Sequence, residues 1–356
     1  MSMGKNTKII MGIFSVVLLI LLNTQYYIIN IISSCILVII LAVLLGNVTS
    51  NMSVYLGEKK GGMLAATIGN IPELMMGIWS IKYGMIPMAK AALLGSIISN
   101  MLLGLGIGVI FGGLKYKEQK FNKIIARTNF NMLILAMSAI IVISSLNRYT
   151  LYPLGKDVLK SISVKVSLVL IIVYLLGLIF SFYTHKNLFL VSGREMDEGK
   201  VKDKVKVVLT FTKLIVIAVI LYFISEKLMF NVKTLVQTKR VSQEFLGIIL
   251  IPLLGNIGEN VTTVMCALDN KINMSIETAI GSSIQISLFV TPLLTILSCF
   301  LLEPMTLVFS SFEIIISVLA IGMSFLVFQD GKSYWFEGAI LVSIYIIITL
   351  AYYYIR

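Results

Sequence analysis

The sequence predicts an all-α polytopic membrane protein, and its composition is the first observation behind this prediction. Hydrophobic residues make up 58% of the 356-residue chain, charged residues make up 13%, and the mean hydropathy is +0.97. A soluble globular domain carries more charge than this on its surface. The three cysteines lie inside apolar segments without paired spacing, so neither a disulfide framework nor a zinc site is predicted.

The second observation is the spacing of the apolar segments. A bilayer core about 30 Å thick needs roughly 20 apolar residues per helix. Eleven segments of this kind lie near residues 9–22, 27–56, 62–83, 87–113, 129–147, 163–183, 207–238, 243–269, 273–301, 308–328 and 335–354. The sequence therefore predicts eleven transmembrane helices.

A charged stretch at 184–206 divides these segments into two groups. Setting aside the first segment leaves five on each side, and an odd number of spans per repeat places the two halves in opposite orientations. We therefore predict an extra N-terminal transmembrane helix at 1–25 and a first five-helix repeat at 26–183. The stretch at 184–206 becomes a charged cytoplasmic linker, followed by a second five-helix repeat at 207–356.

The net charge of +12 comes largely from basic residues in loops between apolar segments. This distribution is typical of a topology signal rather than of a nucleic-acid-binding surface. With the N-terminus in the cytoplasm, the inner loops collect Lys59, Lys60, the cluster at 115–127 and the basic residues of 184–206. The outer loops hold fewer, so a cytoplasmic N-terminus is expected.

The third observation is a short motif that occurs twice. Residues 69–73 read Gly-Asn-Ile-Pro-Glu, and residues 255–259 read Gly-Asn-Ile-Gly-Glu. A Gly-Ser pair follows each motif, at 95–96 and at 281–282, so both landmarks repeat at an offset of 186. This constant register indicates an internal repeat.

Each motif sets a carboxylate, Glu73 or Glu259, within a long apolar run. A carboxylate in the hydrocarbon region costs at least about 2.5 kcal/mol, so two at matched positions indicate a function. Asn70 and Asn256 each lie three residues before the glutamate, on the same helical face. Because Pro72 removes a backbone donor, we predict helices broken at the carboxylates, whose freed carbonyls can coordinate a cation. Glycines that only permit close helix packing would leave the glutamates unexplained.

The Gly-Ser pairs begin a second set of polar residues on the helix after each motif. Its members, which offer hydroxyl and amide groups, are Ser96, Ser99, Asn100, Ser282, Ser283 and Gln285. Such residues often only bond a neighbouring membrane helix, but their repetition favours a role as cation ligands or as support for them. Carboxylate, amide, hydroxyl and carbonyl oxygens without nearby His or Cys suit a hard cation such as calcium.

Two glutamates balance the charge of one divalent ion. Burial favours the protonated form of a carboxyl group and a bound cation favours the ionised form, so one pair holds either the metal or protons. Exchange follows if the empty, charged site cannot cross the membrane. The sequence therefore predicts a secondary transporter and no enzyme, since no candidate nucleophile has an adjacent base.

Three further acidic residues in the second half have no assigned role. Glu277 breaks the repeat, because its counterpart at the 186 offset is Ala91. Glu313 and Glu337 lie in or near the last two helices. They either support proton passage or pair with a neighbour, and the sequence leaves both interpretations open.

With these residues in view, the sequence resembles the calcium/proton antiporters of the cation/calcium exchanger superfamily. The resemblance covers nearly the whole chain. Its most specific parts are GNIPEL and ALLGSIISNMLLGLG in the first half, GNIGENVTTVMCALDNKINMSIETAIGSSIQISLFVTPLL in the second, and PMTLVFSSFE and DGKSYWFEGAILVSIY in the tail. It implies eleven helices, with two inverted five-helix repeats. The family usually has a small residue where Glu277 stands.

The resemblance also implies roles for individual residues, with the two glutamates as the shared calcium and proton site. The implied metal-site residues are Glu73, Glu259, Asn70, Asn256, Ser96 and Ser282. Supporting positions are Gln285, Asn100, Ser99 and Ser283.

The expected cargo is therefore calcium and protons, and the expected surroundings are the lipid bilayer of a bacterial cell membrane. Neither a cofactor nor a nucleic-acid partner is expected, and a homo-oligomer is left open. The alternatives are coupling to sodium, exchange of another divalent cation, and a passive cation channel. Asn70 and Asn256 are neutral, which favours protons over sodium.

Overall fold

The computed structural model describes residues 24–149, 154–184, 204–301 and 303–354. The predicted first helix at 9–22 and nearly all of the 184–206 linker lie outside these residues. Within them the chain forms eleven helices and one two-stranded sheet.

Five helices precede the linker and six follow it. The first five are α1 (Tyr27–Ile68), α2 (Ile71–Lys82), α3 (Ile86–Tyr116), α4 (Lys123–Tyr149) and α5 (Lys156–Ile179, continued by a π-helical turn at Phe180–Thr184). The other six are α6 (Lys204–Lys239), α7 (Gln243–Gly255), α8 (Ile257–Leu268), α9 (Ile272–Ser298), α10 (Ser311–Val327) and α11 (Trp335–Tyr354). The strands are β1 (Gln119–Lys120) and β2 (Lys332–Ser333).

Most of these helices are suited to a bilayer. Among the described residues, 7 helices are long and apolar enough to cross a membrane, and the count is 8 if α7 and α8, which meet at a 58° bend, form one span. The helices α2 and α10 are shorter, with 12 and 17 residues. The helical membrane fold predicted from composition is thus confirmed.

The chain breaks at both motifs, as predicted. The helix α1 ends at Ile68 and α2 begins at Ile71, while α7 ends at Gly255 and α8 begins at Ile257. Pro72 lies in the first turn of α2, where its missing N–H leaves no helical hydrogen bond unmade.

The predicted boundary between segments 27–56 and 62–83 was wrong, because α1 continues through 57–61. The charged residues in this stretch are good helix formers, and a glycine in a helix costs only about 1 kcal/mol. Charge alone therefore did not end the helix, whereas the sequence around Pro72 did begin a new one.

The repeat seen in the sequence is also present in the helix boundaries. The helices α2 and α8 begin at Ile71 and Ile257, and α3 and α9 begin at Ile86 and Ile272, each pair at the offset of 186. Both α3 and α9 contain a π-helical segment, at Ser99–Gly104 and at Ile286–Val290. Segments of this kind occur frequently at functional sites.

The helices α3 and α9 form the centre of the bundle. Of the apolar window in each, 83% and 67% of residues are buried, against 22–44% in the other five long helices. Glycines allow close approach here: a Cβ added at Gly95 would meet the backbone of Ile248 in α7 at 2.7 Å. A Cβ added at Gly106 would lie 3.0 Å from the carbonyl oxygen of Gly338 in α11.

Different contacts hold the loop that follows α3 and the loop that follows α9. Beyond the end of α3, β1 pairs antiparallel with β2, with Gln119 opposite Ser333. Beyond the end of α9, the N–H groups of Leu307 and Phe309 donate to the hydroxyls of Ser163 and Ser144, at 3.0 and 2.9 Å.

Candidate cation site

The two motif glutamates lie in the first turn of the helices that follow the breaks. Asn70 and Asn256 occupy the N-cap positions of α2 and α8, and Glu73 and Glu259 follow in the first turn. A negative charge is favoured by about 0.3–1 kcal/mol near a helix N-terminus. Neither asparagine side chain caps its own helix, so both amides are available to the opposite half of the chain.

Asn70 binds two residues of α9 in the second half. Its Nδ2 donates to Oε1 of Gln285 at 2.7 Å, and its Oδ1 accepts from the hydroxyl of Ser282 at 3.0 Å. Asn100 of α3 donates to the same Ser282 oxygen at 3.0 Å. The chain of hydrogen bonds therefore connects α2 and α3 to α9.

Asn256 makes the corresponding contact in the opposite direction. Its Nδ2 donates to the backbone oxygen of Ser96 in α3 at 3.1 Å. Both residues are fully buried, and the hydroxyl of Ser96 and Oδ1 of Asn256 have no hydrogen-bond partner among the described residues. Two buried oxygen atoms are thus available here for a ligand.

Glu73 lies across the boundary between the halves. Its side chain is 3% exposed and its carboxylate lies directly against Gly255, where a Cβ would stand 2.6 Å from the carboxylate carbon. Both carboxylate oxygens are buried without a hydrogen-bond partner among the described residues. Gly255 therefore provides the space in which Glu73 fits.

Glu259 is half-buried and completes the pair. It lies near Ser282 and close enough to Glu73 for the two charges to act on each other. Its Oε2 is buried without a partner in the described part of the chain. Ser282, which donates its hydroxyl proton to Asn70 of the first half, therefore lies beside Glu259 of the second.

This arrangement suits a hard cation or protons. Two neighbouring carboxylates, one buried and one half-buried in an apolar bundle, are favoured when they are protonated or neutralised by a cation. No group of three or more His, Cys, Asp or Glu residues is found in the described ranges. The remaining ligands of a calcium ion, which takes six to eight oxygens at about 2.3–2.6 Å, would thus come from amide, hydroxyl and backbone groups.

Two residues predicted to support the site make no described bond to it. The hydroxyl of Ser283 donates to the carbonyl of Ala279 in its own helix at 2.9 Å. Ser99 lies beside Tyr345 of α11, and its buried hydroxyl has no hydrogen-bond partner among the described residues. The contacts described above include all the other predicted residues. These are Glu73, Glu259, Asn70, Asn256, Ser96, Ser282, Gln285 and Asn100.

Sequence reasoning missed three residues near the site. Gly255 was noted only as the first residue of the second motif, whereas it also makes room for Glu73. Asn260 and Thr263 of α8 face Gly104 and Gly108 of α3, and their side-chain oxygens are buried without a partner among the described residues. The signal available was their position within two turns of Asn256.

Glu313 and Glu337 cap helices. The carboxylate of Glu313 accepts from the N–H of Ser310 at 2.8 Å while its own N–H donates to the Ser310 hydroxyl, forming a capping box at the start of α10. Glu337 accepts from the N–H of Tyr334 at 2.8 Å, ahead of α11. Both carboxylates therefore have a local structural partner, unlike Glu73.

The fold and the site define the class of this protein. It is a polytopic helical membrane protein with a carboxylate pair at its centre, and amide and hydroxyl oxygens from both halves line that pair. Within this class, the chain belongs to the sodium/calcium exchanger protein family, whose sequence pattern matches residues 26–183 and 209–354. The family indicated by the motifs is thereby confirmed.

Individual relatives match over most of their length. The chain is 36% identical over 329 residues to a Ca²⁺/H⁺ antiporter of Aphanothece halophytica, covering 89% of this chain and 88% of that protein. It is 33% identical over 323 residues to the Ca²⁺/H⁺ antiporter ChaA of Bacillus subtilis, covering 90% of each. The solved structure of native YfkE superimposes with a TM-score of 0.79 at 29% identity, covering 96% of both chains.

Proposed function

We propose that this protein is a secondary transporter that exchanges calcium for protons by alternating access at Glu73 and Glu259. The observation that carries the proposal is the pair of carboxylates at the starts of two broken helices, with buried oxygens that have no partner among the described residues. The names of the two relatives, both Ca²⁺/H⁺ antiporters, support the same cargo.

The exchange follows from the charge on the pair. With calcium bound, two carboxylates neutralise the ion, and Asn70, Asn256, Ser96 and Ser282 complete or shape its oxygen shell. Without calcium, protons neutralise the carboxylates. The empty, charged pair is the costly state in a low-dielectric bundle, so the change of access proceeds only with calcium or protons in place.

The proposal includes a topology. It has an extra N-terminal helix at 1–25, inverted five-helix repeats at 26–183 and 207–356 and a cytoplasmic linker at 184–206, making eleven transmembrane helices. The offset of 186 between matching helix starts supports the repeat. A cytoplasmic N-terminus follows from the basic loops, and bacterial relatives support a location in a bacterial cell membrane.

The central test is the substitution of each glutamate by the neutral, similarly shaped glutamine. In reconstituted vesicles with an internal pH dye, Glu73→Gln and Glu259→Gln are each expected to abolish calcium-driven proton movement, because the pair then no longer balances a divalent charge. Glu303→Gln removes an exposed carboxylate after α9 and serves as the control, with exchange unchanged. Wild-type rates in either site variant would overturn the proposal.

Sodium coupling is the second candidate, and the family's own description, which names sodium, favours it. The neutral amides of Asn70 and Asn256 stand against it, since they add no charge beside the glutamates for further monovalent ions. Calcium uptake into vesicles is measured with a sodium gradient at fixed pH and with a pH gradient in sodium-free buffer. Proton coupling predicts uptake only in the second condition.

A further inference from the structure

Glu277 lies on a partly exposed face of the central helix α9. Glu277, Gly281 and Gln285 are spaced by four residues, so they lie above one another on a single face, with about 12 Å from the first to the last. All three are partly exposed, whereas Ile276, Ala279 and Ile280 on the adjoining face are buried. Gln285 accepts the hydrogen bond from Asn70, so this face reaches the cation site.

The matching face of α3 is closed. Ala91 and Ser99, the counterparts of Glu277 and Gln285, are fully buried. Gly95 lies against the backbone of Ile248, while no heavy atom of the described residues lies within 4 Å of a Cβ built at Gly281. A path along the face of α9 is therefore open at Gly281, whereas the equivalent path along α3 is blocked at Gly95.

The surroundings of Glu277 distinguish it from an ordinary surface carboxylate. Its Oε1 is shielded from solvent and has no hydrogen-bond partner among the described residues. No ion pair joins it to a basic residue in the described ranges. A carboxylate left unpaired on a membrane helix is costly, and it attracts cations toward the polar face on which it lies.

We propose that Glu277 is an access-path carboxylate, which draws divalent cations onto the open face of α9 two helical turns before they reach Glu73 and Glu259. The proposal rests on the proposed function, because it concerns the approach to the same site. It gives the second half a recruiting charge that the first half, with Ala91, lacks. Glu277 acts on the rate of arrival and on the apparent affinity from one side, and it is not a ligand of the bound ion.

The geometry is tested first by thiol labelling. In a background with Cys35, Cys266 and Cys299 replaced by alanine, Glu277→Cys is expected to react with a membrane-impermeant methanethiosulfonate reagent added to one side of the vesicles. Ala91→Cys is the matched control and is expected to stay unlabelled from both sides. An unreactive Glu277→Cys, or equal labelling at the two positions, would overturn the proposal.

The function is tested by transport measured from the labelled side. Glu277→Gln is expected to raise the calcium concentration for half-maximal uptake by about three- to tenfold at low salt, with the maximal rate unchanged. The difference should shrink at high ionic strength, because salt screens the charge. Glu277→Asp keeps the charge and is expected to stay near wild type, and Glu303→Gln is the neutralisation control.

The outcomes separate this proposal from the proposed function. If the wild-type protein exchanges calcium for protons but Glu277→Gln leaves the half-maximal concentration unchanged, or raises it equally from both sides, the role of Glu277 is wrong and the paired site stands. If the wild type shows no exchange, the proposed function itself fails. If Glu277→Gln does not assemble, a wild-type half-maximal concentration that is independent of salt overturns the proposal.

Discussion

The two halves of the molecule start their helices at matching positions and yet differ in packing around the motifs. Glu73 is 3% exposed, whereas Glu259 is half-buried. A Cβ built at Gly95 would lie 2.7 Å from the backbone of Ile248, whereas one built at Gly281 has no described atom within 4 Å. The repeated motif alone therefore does not fix the packing around it. The helix after the motif is tightly packed at Gly95 and loosely packed at Gly281, so similar sequences adopt both arrangements within one chain.

Among variants that alter the packing of the two halves, the largest effect is expected at Gly255, the glycine against which Glu73 lies. In Gly255→Ala the new Cβ would occupy the space of the Glu73 carboxylate, so that carboxylate must move. A displacement of about 1 Å at a reacting group lowers rates by about 100-fold, and we expect a loss of that order in the initial rate of calcium-driven proton movement.

The control for this variant is Gly258→Ala, which changes the second glycine of the same motif. No described atom lies within 4 Å of a Cβ at Gly258, so the rate is expected to stay within about twofold of wild type on the same scale. Similar losses in both variants would show that the close contact of Glu73 with Gly255 is unimportant.

A second, smaller effect concerns the closed and open faces. Gly95→Ala forces a methyl group against the Cα and carbonyl oxygen of Ile248, which cannot rotate away. Overpacking of this kind costs about 1–3 kcal/mol, so we expect a lower Tm in detergent. Gly281→Ala enters open space and should leave Tm unchanged or slightly raised, because alanine favours the helix. Equal shifts of Tm in the two variants would contradict the packing difference between the halves.

The smallest effect is expected at the loops that join the halves outside the membrane. The carboxylate of Glu118 accepts from the hydroxyl of Tyr334 at 2.9 Å and from Nζ of Lys332 at 3.3 Å, beside the β1–β2 pair. These contacts, with Tyr334 first, hold the pKa of Glu118 below its ordinary value of 4.5. Because the pKa is lowered on folding, Glu118 stabilises the folded state at pH values above its ordinary pKa. That stability is lost as the pH falls through the pKa of Glu118 in the folded state.

Glu118→Gln should therefore lower Tm slightly at pH 7, and the difference from wild type should vanish well below pH 4.5. Thermal unfolding in detergent across this range checks the prediction. Asp269→Asn breaks an exposed ion pair, 3.9 Å from Lys271, and is expected to change nothing at either pH. A Glu118→Gln difference that persists unchanged at low pH would contradict the assigned cause.

Much of the fold was readable from the sequence, because the signals involved are local or repeated. Apolar length predicted the long helices, and Pro72 with the repeat of its motif predicted the breaks before Glu73 and Glu259. The continuous helix through 57–61 was not predicted, since charged residues with high helix propensity do not by themselves end a helix.

The candidate site was predictable as a set of residue types but not as a set of contacts. The offset of 186 matched Asn70 with Asn256, yet their partners, Gln285 and Ser282 for one and the Ser96 backbone for the other, depend on long-range packing. Serines at neighbouring positions look alike in a sequence. The turn of the helix decides that Ser282 reaches Asn70 while Ser283 bonds its own backbone.

The four hydrogen bonds at the centre all run from one half of the chain to the other. Neither half therefore contains a complete site, and a substitution in one half changes the surroundings of the glutamate in its partner half. The candidate site is thus an interface between the two halves, and separating the halves would break all four bonds together.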